Sequence, residues 1–314
     1  MLGRTAASLF WMGRYIERAE NIARLTQVGH RISITPDGSG GYREDWKATL
    51  VTAGCLEAFQ ARHGTLTAAA VQSFLMFDRE HPSSIRSCLE TARNNGRAVR
   101  NALTREMWEA LNSTWIEFAA IDPASLDPGR LAELLDWVRQ RSAQFRGAMI
   151  GSLLRDEGFH FSQLGTFVER ADNTARILDV KYSVLLPANA AMGGERNLHQ
   201  WETILRSVAA HSAYRYYYRD RYRPWNVADF LILRPEMPRS LRFCYDFAAA
   251  ALAALAAMTG GGAASQTLAD ALARDLAVGD LDTIIRDGLH EFLTDFLARN
   301  AAIARAAAAD YHFD

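Results

Sequence analysis

Hydrophobic positions recur at helical spacing through most of the chain, and residues 5–32 form the first such stretch. At about 100° per residue, six residues share one broad apolar face: Met12, Tyr15, Ile16, Ala19, Ile22 and Ala23. The polar residues fall on the opposite side, within roughly 120° of arc: Arg14, Glu17, Glu20, Asn21 and Arg24. A helix with so much apolar surface is typical of the centre of a bundle rather than its edge.

The rest of the chain also predicts helices, separated by residues that cap or break them. The predicted segments are residues 43–62, a helix capped by Thr65 and running through Leu75 to Phe77, one after His81-Pro82-Ser83-Ser84, one from Thr104, one opening at Asp127-Pro128, and a long helix over about residues 159–186 that stops at Pro187. Glycine-rich loops are predicted at residues 36–41 and 193–194. No segment alternates as a half-buried strand would, so the fold class is all-α, a helical bundle.

The polar stripe on the first helix occurs twice. Residues 13–24 read GRYIERAENIAR and residues 165–176 read GTFVERADNTAR, with seven of twelve positions identical at an offset of 152. A second pair, FDREHPSSIRSC at 77–88 and LRPEMPRSLRFC at 233–244, agrees at five of twelve positions. Matching motifs in the same order predict a tandem duplication, with repeats 1–152 and 153–314. We expect the repeats to be related by a pseudo-two-fold axis and packed as one compact unit.

Composition and charge argue against several classes of protein, including nucleic-acid-binding and membrane-spanning proteins. The chain of 314 residues has a formal net charge of −1, which gives no overall attraction for nucleic acid or an anionic membrane. Its three cysteines form no CxxC pair, which favours a reducing compartment, and we expect a cytoplasmic protein without a signal peptide. The most apolar internal run, residues 247–258, has 12 residues, fewer than the roughly 20 that a membrane-spanning helix needs.

The repeated Glu-Arg stripe is the one candidate site with specific spacing. Glu17 and Glu169 are the candidate acid–base residues, and eight neighbours are candidate substrate-binding residues: Arg18, Glu20, Asn21, Arg24, Arg170, Asp172, Asn173 and Arg176. Several of these are i, i+4 neighbours, so a polar network that fixes helix pairing is the competing interpretation. If a pseudo-two-fold axis brings the two stripes together, four carboxylates and four arginines would converge.

Other chemistry has weaker sequence support. Neither stripe has a histidine three residues after its glutamate, as bundle metal sites do, so neither a metal nor a cofactor is predicted.

Residues 214–223, from Tyr214 to Arg223, are basic and aromatic. They are either a phosphate- or nucleic-acid-binding surface or, the interpretation we favour, a helix end with packed rings and solvated arginines. Cys88 and Cys244 occupy matching positions and are expected to be buried. Standard nucleotide-binding and hydrolase motifs are absent from the sequence.

With Glu17-Arg18 and Glu169-Arg170 at its centre, the chain resembles the alpha-E family, helical domains named for this Glu-Arg (ER) motif and usually duplicated. The resemblance extends over essentially the whole chain, including the Pro-x-Ser-x-x-x-Cys helix starts. It implies a bacterial peptide synthesis or modification system, with a circularly permuted ATP-grasp ligase, transglutaminase-like proteins and an NTN-type peptidase as associated proteins.

The leading functional hypothesis is therefore an accessory, non-enzymatic component that partners the ATP-grasp ligase and binds a peptide substrate or its carboxylates through the ER arginines. An enzyme acting on peptide or amide bonds, with the ER cluster as its acid–base centre, is the alternative. Binding of phosphate or nucleic acid by residues 214–223 is a third, weaker alternative; membrane partners are not expected.

Overall fold

The computed structural model describes residues 1–34, 42–185, 195–219 and 222–313. Within these residues the fold is all-α, without strands, which confirms the predicted fold class. Two short 3₁₀ turns accompany fifteen α-helices. The helices are α1 Gly3–Ile34, α2 Tyr42–Thr52, α3 Leu56–Arg62, α4 Ala68–Phe77, α5 Ile85–Ala98, α6 Arg105–Ala119, α7 Pro128–Ser152, α8 Glu157–Leu185, α9 Glu195–Ser207, α10 His211–Tyr218, α11 Pro224–Ile232, α12 Leu241–Thr259, α13 Ala263–Val278, α14 Leu281–Asp287 and α15 Leu289–Asp310. The predicted loops at 36–41 and 193–194, and Pro187, lie outside the described residues.

The chain divides into two compact units, residues 1–166 and 167–314. The division falls inside α8, the helix that carries the second ER motif. Duplication into repeats 1–152 and 153–314, with a pseudo-two-fold axis and one compact unit, stays a prediction.

In the first unit, α1 is the central helix, as its pattern predicts. It packs against α2, α4, α5 and α7, and both its apolar face and part of its polar stripe are buried. Burial of a helix on all sides leaves its charged residues out of water, so each must find a partner within the fold. The polar stripe is therefore an internal feature of this unit.

Two predicted helix boundaries in the first unit are wrong. The segment 43–62 is broken into α2 and α3 at Gly54, whose φ of +68° places it in the left-handed region that glycine adopts readily. The cap of α4 is Thr67 rather than Thr65, because the Thr67 hydroxyl accepts a hydrogen bond from the Ala70 amide at 3.2 Å. Both errors concern local turn geometry, and the helices themselves are present.

The second repeated sequence forms the same capping turn in each unit. The Ser84 hydroxyl accepts a hydrogen bond from the backbone N–H of Ser87 at 3.1 Å and donates one to the carbonyl of Asp78 at 2.6 Å. Ser240 makes the matching pair of contacts, to Phe243 at 3.0 Å and to Arg234 at 2.6 Å. The Pro-x-Ser sequence is thus the start signal of α5 and of α12.

Helix α12 is longer than the 12-residue apolar run at 247–258 that the sequence analysis measured. It has 19 residues and a stretch of mean hydropathy 1.5, so by length and composition it could cross a bilayer. Central helices of globular units pass the same test, and α12 buries Tyr245, Leu252 and Leu255 within the second unit. The apolar length by itself is therefore weak evidence for a membrane span.

The first residue of each ER motif lies where α1 meets the beginning of α8, within the first unit. A Cβ on Gly13 would lie closer than 3.0 Å to the carbonyl oxygen of Ser162, and a Cβ on Gly165 equally close to that of Phe10. The two contacts are reciprocal, since each glycine meets the residue three positions before the other glycine. Glycine at both positions lets the two backbones touch.

Candidate functional site

The acidic residues of the first ER motif are buried and held by arginines. Glu17 and Glu20 are each exposed by 1% or less. Arg24, one turn along α1, donates to Glu20 Oε1 from Nε at 2.9 Å and from Nη2 at 2.7 Å. Arg146 from α7 donates through Nη1 to the other Glu20 oxygen, and lies 3.4 Å from Glu17 Oε2. Both oxygens of Glu20 therefore have a charged partner.

Two carboxylates and two guanidinium groups make this cluster electrically balanced. Its chemistry is that of a buried ion-pair network, in which each charge has a partner of opposite sign within the fold. Sequence reasoning found three of its four members and missed Arg146, which is 126 residues away from Glu20. The sequence feature that could have pointed to Arg146 is its position in α7 between Phe145 and Met149, which are both buried.

The second ER motif has a different arrangement of charges. Asp172 accepts from Arg176 Nε at 2.6 Å, and both side chains are solvent-exposed in part. Glu169 is buried. The buried positions of α7 and α15 match at an offset of 158, and this register puts Ala304 where the first unit has Arg146. The second unit therefore has alanine at the position that corresponds to Arg146.

The arginines of the two Glu-Arg pairs, Arg18 and Arg170, make corresponding contacts in the two units. Arg18 donates to the Ser83 hydroxyl at 3.4 Å, and Arg170 donates to the Pro238 carbonyl at 3.3 Å. These acceptors lie at neighbouring positions of the two capping turns, before α5 and α12. Each guanidinium also lies over the aromatic ring three residues earlier, 5.4 Å from the Tyr15 centroid and 5.1 Å from the Phe167 centroid. In each unit the ER arginine links its own helix to its own capping turn.

The two asparagines of the motifs are both largely withdrawn from solvent. Asn21 is buried, and Asn173 is half-buried with an Nδ2 that has no hydrogen-bond partner among the described residues. Of the ten candidate site residues, Arg176 alone is classed as exposed. Convergence of the two motifs on one site stays a prediction.

His81, in the first capping turn, is a buried imidazole close to Arg18. Its ring stacks on Phe74 with centroids 4.3 Å apart. Burial, which outweighs the attraction of Asp78, together with the cations Arg62 and Arg18, lowers the pKa of His81 to about 4. Folding therefore holds this histidine neutral at pH values where the unfolded chain would bind a proton.

Replacing His81 by Met should make the free energy of unfolding less sensitive to acid. Met is chosen because Met237 fills the matching buried position in the second unit. Between pH 6.5 and 4 the unfolded chain binds a proton at His81 that the folded chain excludes, so wild-type stability falls as pH falls through this range. The loss should be about 2–3 kcal/mol. Urea unfolding of both proteins at pH 7, 5.5 and 4.5 measures the difference.

The comparison with the variant separates His81 from the other histidines, because burial also lowers the pKa of His30, His160 and His211. Those groups remain in both proteins. Parallel stability curves for wild type and His81→Met would show that His81 is not an acid-sensitive group. At pH 7 the two should agree within about 1.5 kcal/mol, because the swap roughly conserves buried volume.

The aromatic and basic run at 214–223 is anchored in the second unit by one buried ring, and its arginines that the structure describes are exposed. Tyr214 is fully buried and its hydroxyl accepts from the Arg223 backbone amide at 3.2 Å. Tyr218 and Tyr222 lie against its ring, whereas Tyr216 is 80% exposed. The packed rings agree with the favoured interpretation; Asp220 and Arg221 lie outside the described residues.

The cysteines are all free and buried, as expected for Cys88 and Cys244. Burial raises the pKa of the Cys55 thiol to about 12, so it is protonated and unreactive near neutral pH. In the described part of the chain no three His, Cys, Asp or Glu side chains are grouped as metal ligands.

The described residues enclose at least three cavities, and no ER-motif residue lines any of these three. One of about 680 Å³ lies between α4 and the start of α7, above the buried ring of His30. One of about 440 Å³ lies near α11 and the start of α12. Sequence patterns gave no signal for either, because their walls come from separate helices.

Comparison with known proteins identifies relatives but no characterised one. The Alpha-E family, described as a predicted alpha-helical domain with a conserved ER motif, matches residues 1–312. An uncharacterized protein of Mycobacterium bovis is 27% identical over 186 residues, and one of Mycobacterium tuberculosis H37Rv is 26% identical over the same length. Each match covers 53% of this chain and 21% of the relative, so the chain corresponds to about a fifth of these proteins. No solved structure matches the chain.

Proposed function

This chain belongs to the Alpha-E family, and we propose that it is an accessory, non-catalytic component of a peptide synthesis or modification system, in which it binds a circularly permuted ATP-grasp ligase. A transglutaminase-like protein is a further partner in this proposal, and the cytoplasm is the proposed location. Three free, buried cysteines are compatible with that reducing compartment.

The observation that supports an accessory role is the balanced cluster in α1. An acid–base catalyst needs a group that can exchange a proton with a substrate within hydrogen-bond reach. Glu20 is instead held on both oxygens by Arg24 and Arg146, and Glu17 is equally buried. A substrate would therefore have to displace an arginine to reach either oxygen of Glu20.

Peptide or carboxylate binding by the ER arginines remains part of the proposal. Arg176 is the candidate with most access to solvent, since its side chain is 46% exposed. A substrate carboxylate would replace Asp172 on its guanidinium, an exchange of one exposed ion pair for another. Arg18 and Arg170 would instead have to leave their capping turns.

Neutralising the motif glutamates should leave partner function intact. We expect Glu17→Gln and Glu169→Gln to retain ligase binding and to support ligase turnover within about twofold of wild type, at a stability cost of about 1–2 kcal/mol each. Isothermal titration of each variant with a circularly permuted ATP-grasp ligase, turnover with that ligase, and thermal melting give the three readouts. Glu109→Gln, in an exposed ion pair with Arg105, is the control.

Loss of turnover in either variant, with melting and ligase binding unchanged, would contradict the accessory role and favour acid–base chemistry at the ER cluster. Absence of saturable ligase binding by the wild-type protein would contradict the proposed partnership itself. The third alternative, phosphate or nucleic acid at residues 214–223, predicts binding that Arg215→Gln and Arg219→Gln weaken.

A further inference from the structure

The cavity of about 440 Å³ in the second unit combines apolar walls with charges of both signs. It lies between α11, the turn that follows α11, the first turn of α12 and the residues around the start of α14. Trp225, 40% exposed, and Leu233 form part of its apolar wall. Its volume is within the range of about 300–1,000 Å³ of small-molecule sites.

One group of charges in this cavity is already satisfied. Asp229 accepts hydrogen bonds from the Tyr218 hydroxyl and from Arg234 Nε, the latter at 2.6 Å. Arg234 also donates to the Tyr217 hydroxyl at 2.9 Å. Burial and the hydrogen bond to Asp229 raise the pKa of Tyr218 well above its usual range, so it stays a donor. These hydrogen bonds join Asp229, Arg234 and two tyrosines in one wall of the cavity. Asp229 and Arg234 therefore already have partners within the protein.

Arg242 lines the same cavity and is not satisfied in this way. Its Nε is buried without a hydrogen-bond partner among the described residues, and the carboxylate that attracts its guanidinium is Asp246, one turn along α12 and outside the cavity lining. A buried donor without a partner is energetically unfavourable. Arg242 is also a cation in the first turn of α12, where the helix dipole disfavours positive charge. What distinguishes Arg242 is that it lines a cavity, so a ligand can reach its guanidinium.

The same cavity holds a carboxylate without an ion-pair partner among the described residues. Asp282 is exposed and lines the cavity near the start of α14. Its neighbour Asp280 is engaged by Thr283, whose amide and hydroxyl donate to it, each at 3.0 Å. Arg242 and Asp282 thus contribute one positive and one negative charge to a single cavity.

From this arrangement we propose that the cavity binds a zwitterionic ligand of the amino-acid class, a free amino acid with an apolar side chain. The planar guanidinium of Arg242 matches a ligand carboxylate, and the Asp282 carboxylate accepts from its ammonium group. Trp225 and Leu233 contact an apolar ligand side chain. The three aspartates in the walls, Asp229, Asp280 and Asp282, disfavour a multiply charged phosphate by repulsion. The inference concerns a cavity away from the ER motif and does not depend on the ligase partnership.

The first repeat supplies a matched control for Arg242. Arg86 occupies the equivalent position, 156 residues earlier, and its Nε is also buried without a hydrogen-bond partner. Its guanidinium, however, lies 5.5 Å from the Trp115 ring centroid, and it lines none of the three cavities. Arg86→Gln and Arg242→Gln therefore remove the same group at corresponding helix starts. Only Arg242 lines one of the three cavities.

Isothermal titration of the isolated full chain with L-leucine and L-phenylalanine tests the proposal. Wild type and Arg86→Gln should show saturable binding, and Arg242→Gln should bind at least tenfold more weakly. L-phenylalaninamide, which lacks the carboxylate, and N-acetyl-L-phenylalanine, which lacks the ammonium, should each bind wild type at least tenfold more weakly than L-phenylalanine. Thermal melting without ligand checks that each variant is folded.

Asp282→Asn, an exposed change, gives a second test should Arg242→Gln unfold the chain. It should weaken L-phenylalanine at least fivefold while leaving N-acetyl-L-phenylalanine unchanged. Absence of saturable binding to wild type, or equal binding by folded Arg242→Gln or by Asp282→Asn, would overturn the proposal. Inorganic phosphate binding more tightly than L-phenylalanine would overturn it too, because it would identify a simple anion site.

Discussion

Gly165→Ala should destabilise the first unit by at least about 3 kcal/mol, as should Gly13→Ala. At each position the new methyl group would lie closer than 3.0 Å to a backbone carbonyl oxygen of the other helix, that of Phe10 or of Ser162. A backbone atom cannot turn aside as a flexible side chain can, so α1 and α8 would have to separate. Urea unfolding at pH 7, followed by circular dichroism, gives the free-energy difference.

Gly147→Ala in α7 is the control for this prediction. A Cβ there would meet no atom within 4 Å, and alanine is the better helix former by about 1 kcal/mol. We therefore expect Gly147→Ala to be neutral or stabilising. If Gly165→Ala and Gly147→Ala changed stability alike, the close approach of α1 and α8 would not be a stability determinant.

The effect of the glycine substitutions also bears on why the ER motif begins with glycine in both copies. In sequence, Gly13 and Gly165 are simply two of seven identical positions. Their shared requirement becomes visible only when α1 meets α8, because each glycine touches a residue more than 140 positions away. Repetition in a sequence marks such a position, but it does not say which atom excludes a side chain.

Helix starts, in contrast, could be read from the sequence because their signals are local. Asp127 caps α7, with its carboxylate accepting from the amides of Gly129 and Arg130, and Thr104 caps α6. The repeated Pro-x-Ser likewise predicted the starts of α5 and α12. The Thr65 error arose because two threonines stand within one turn, and only the backbone geometry chooses Thr67.

The candidate site could be predicted only in part, for the same physical reason. An i, i+4 rule pairs Glu20 with Arg24 and Asp172 with Arg176, and both pairs form. No sequence rule pairs Glu20 with Arg146 or Arg18 with the turn at Ser83, since these contacts depend on how separate helices pack. The duplicated sequence also conceals a difference, because Ala304 stands where Arg146 would be expected.

Removal of Arg146 should therefore have a large effect that is confined to the first unit. In Arg146→Met, Glu17 and Glu20 would stay buried in α1 without the guanidinium that bridges them. Breaking a buried ion pair by removing one partner typically costs about 3–5 kcal/mol, and we expect a loss in this range at pH 7. The measurement is urea unfolding of the full chain, with Arg176→Met in the half-exposed pair with Asp172 as the control, expected to cost under about 1 kcal/mol.

A second substitution distinguishes lost charge from lost packing. Adding Glu20→Gln to Arg146→Met removes the carboxylate that had lost its partner, so the double variant should recover about half of the lost stability or more. Recovery would identify the ER glutamates of α1 as members of a structural network whose balance requires Arg146. If the double variant were no more stable than Arg146→Met, the cost would lie in the packing of the Arg146 side chain between Phe145 and Met149, and the charge balance would not be its cause.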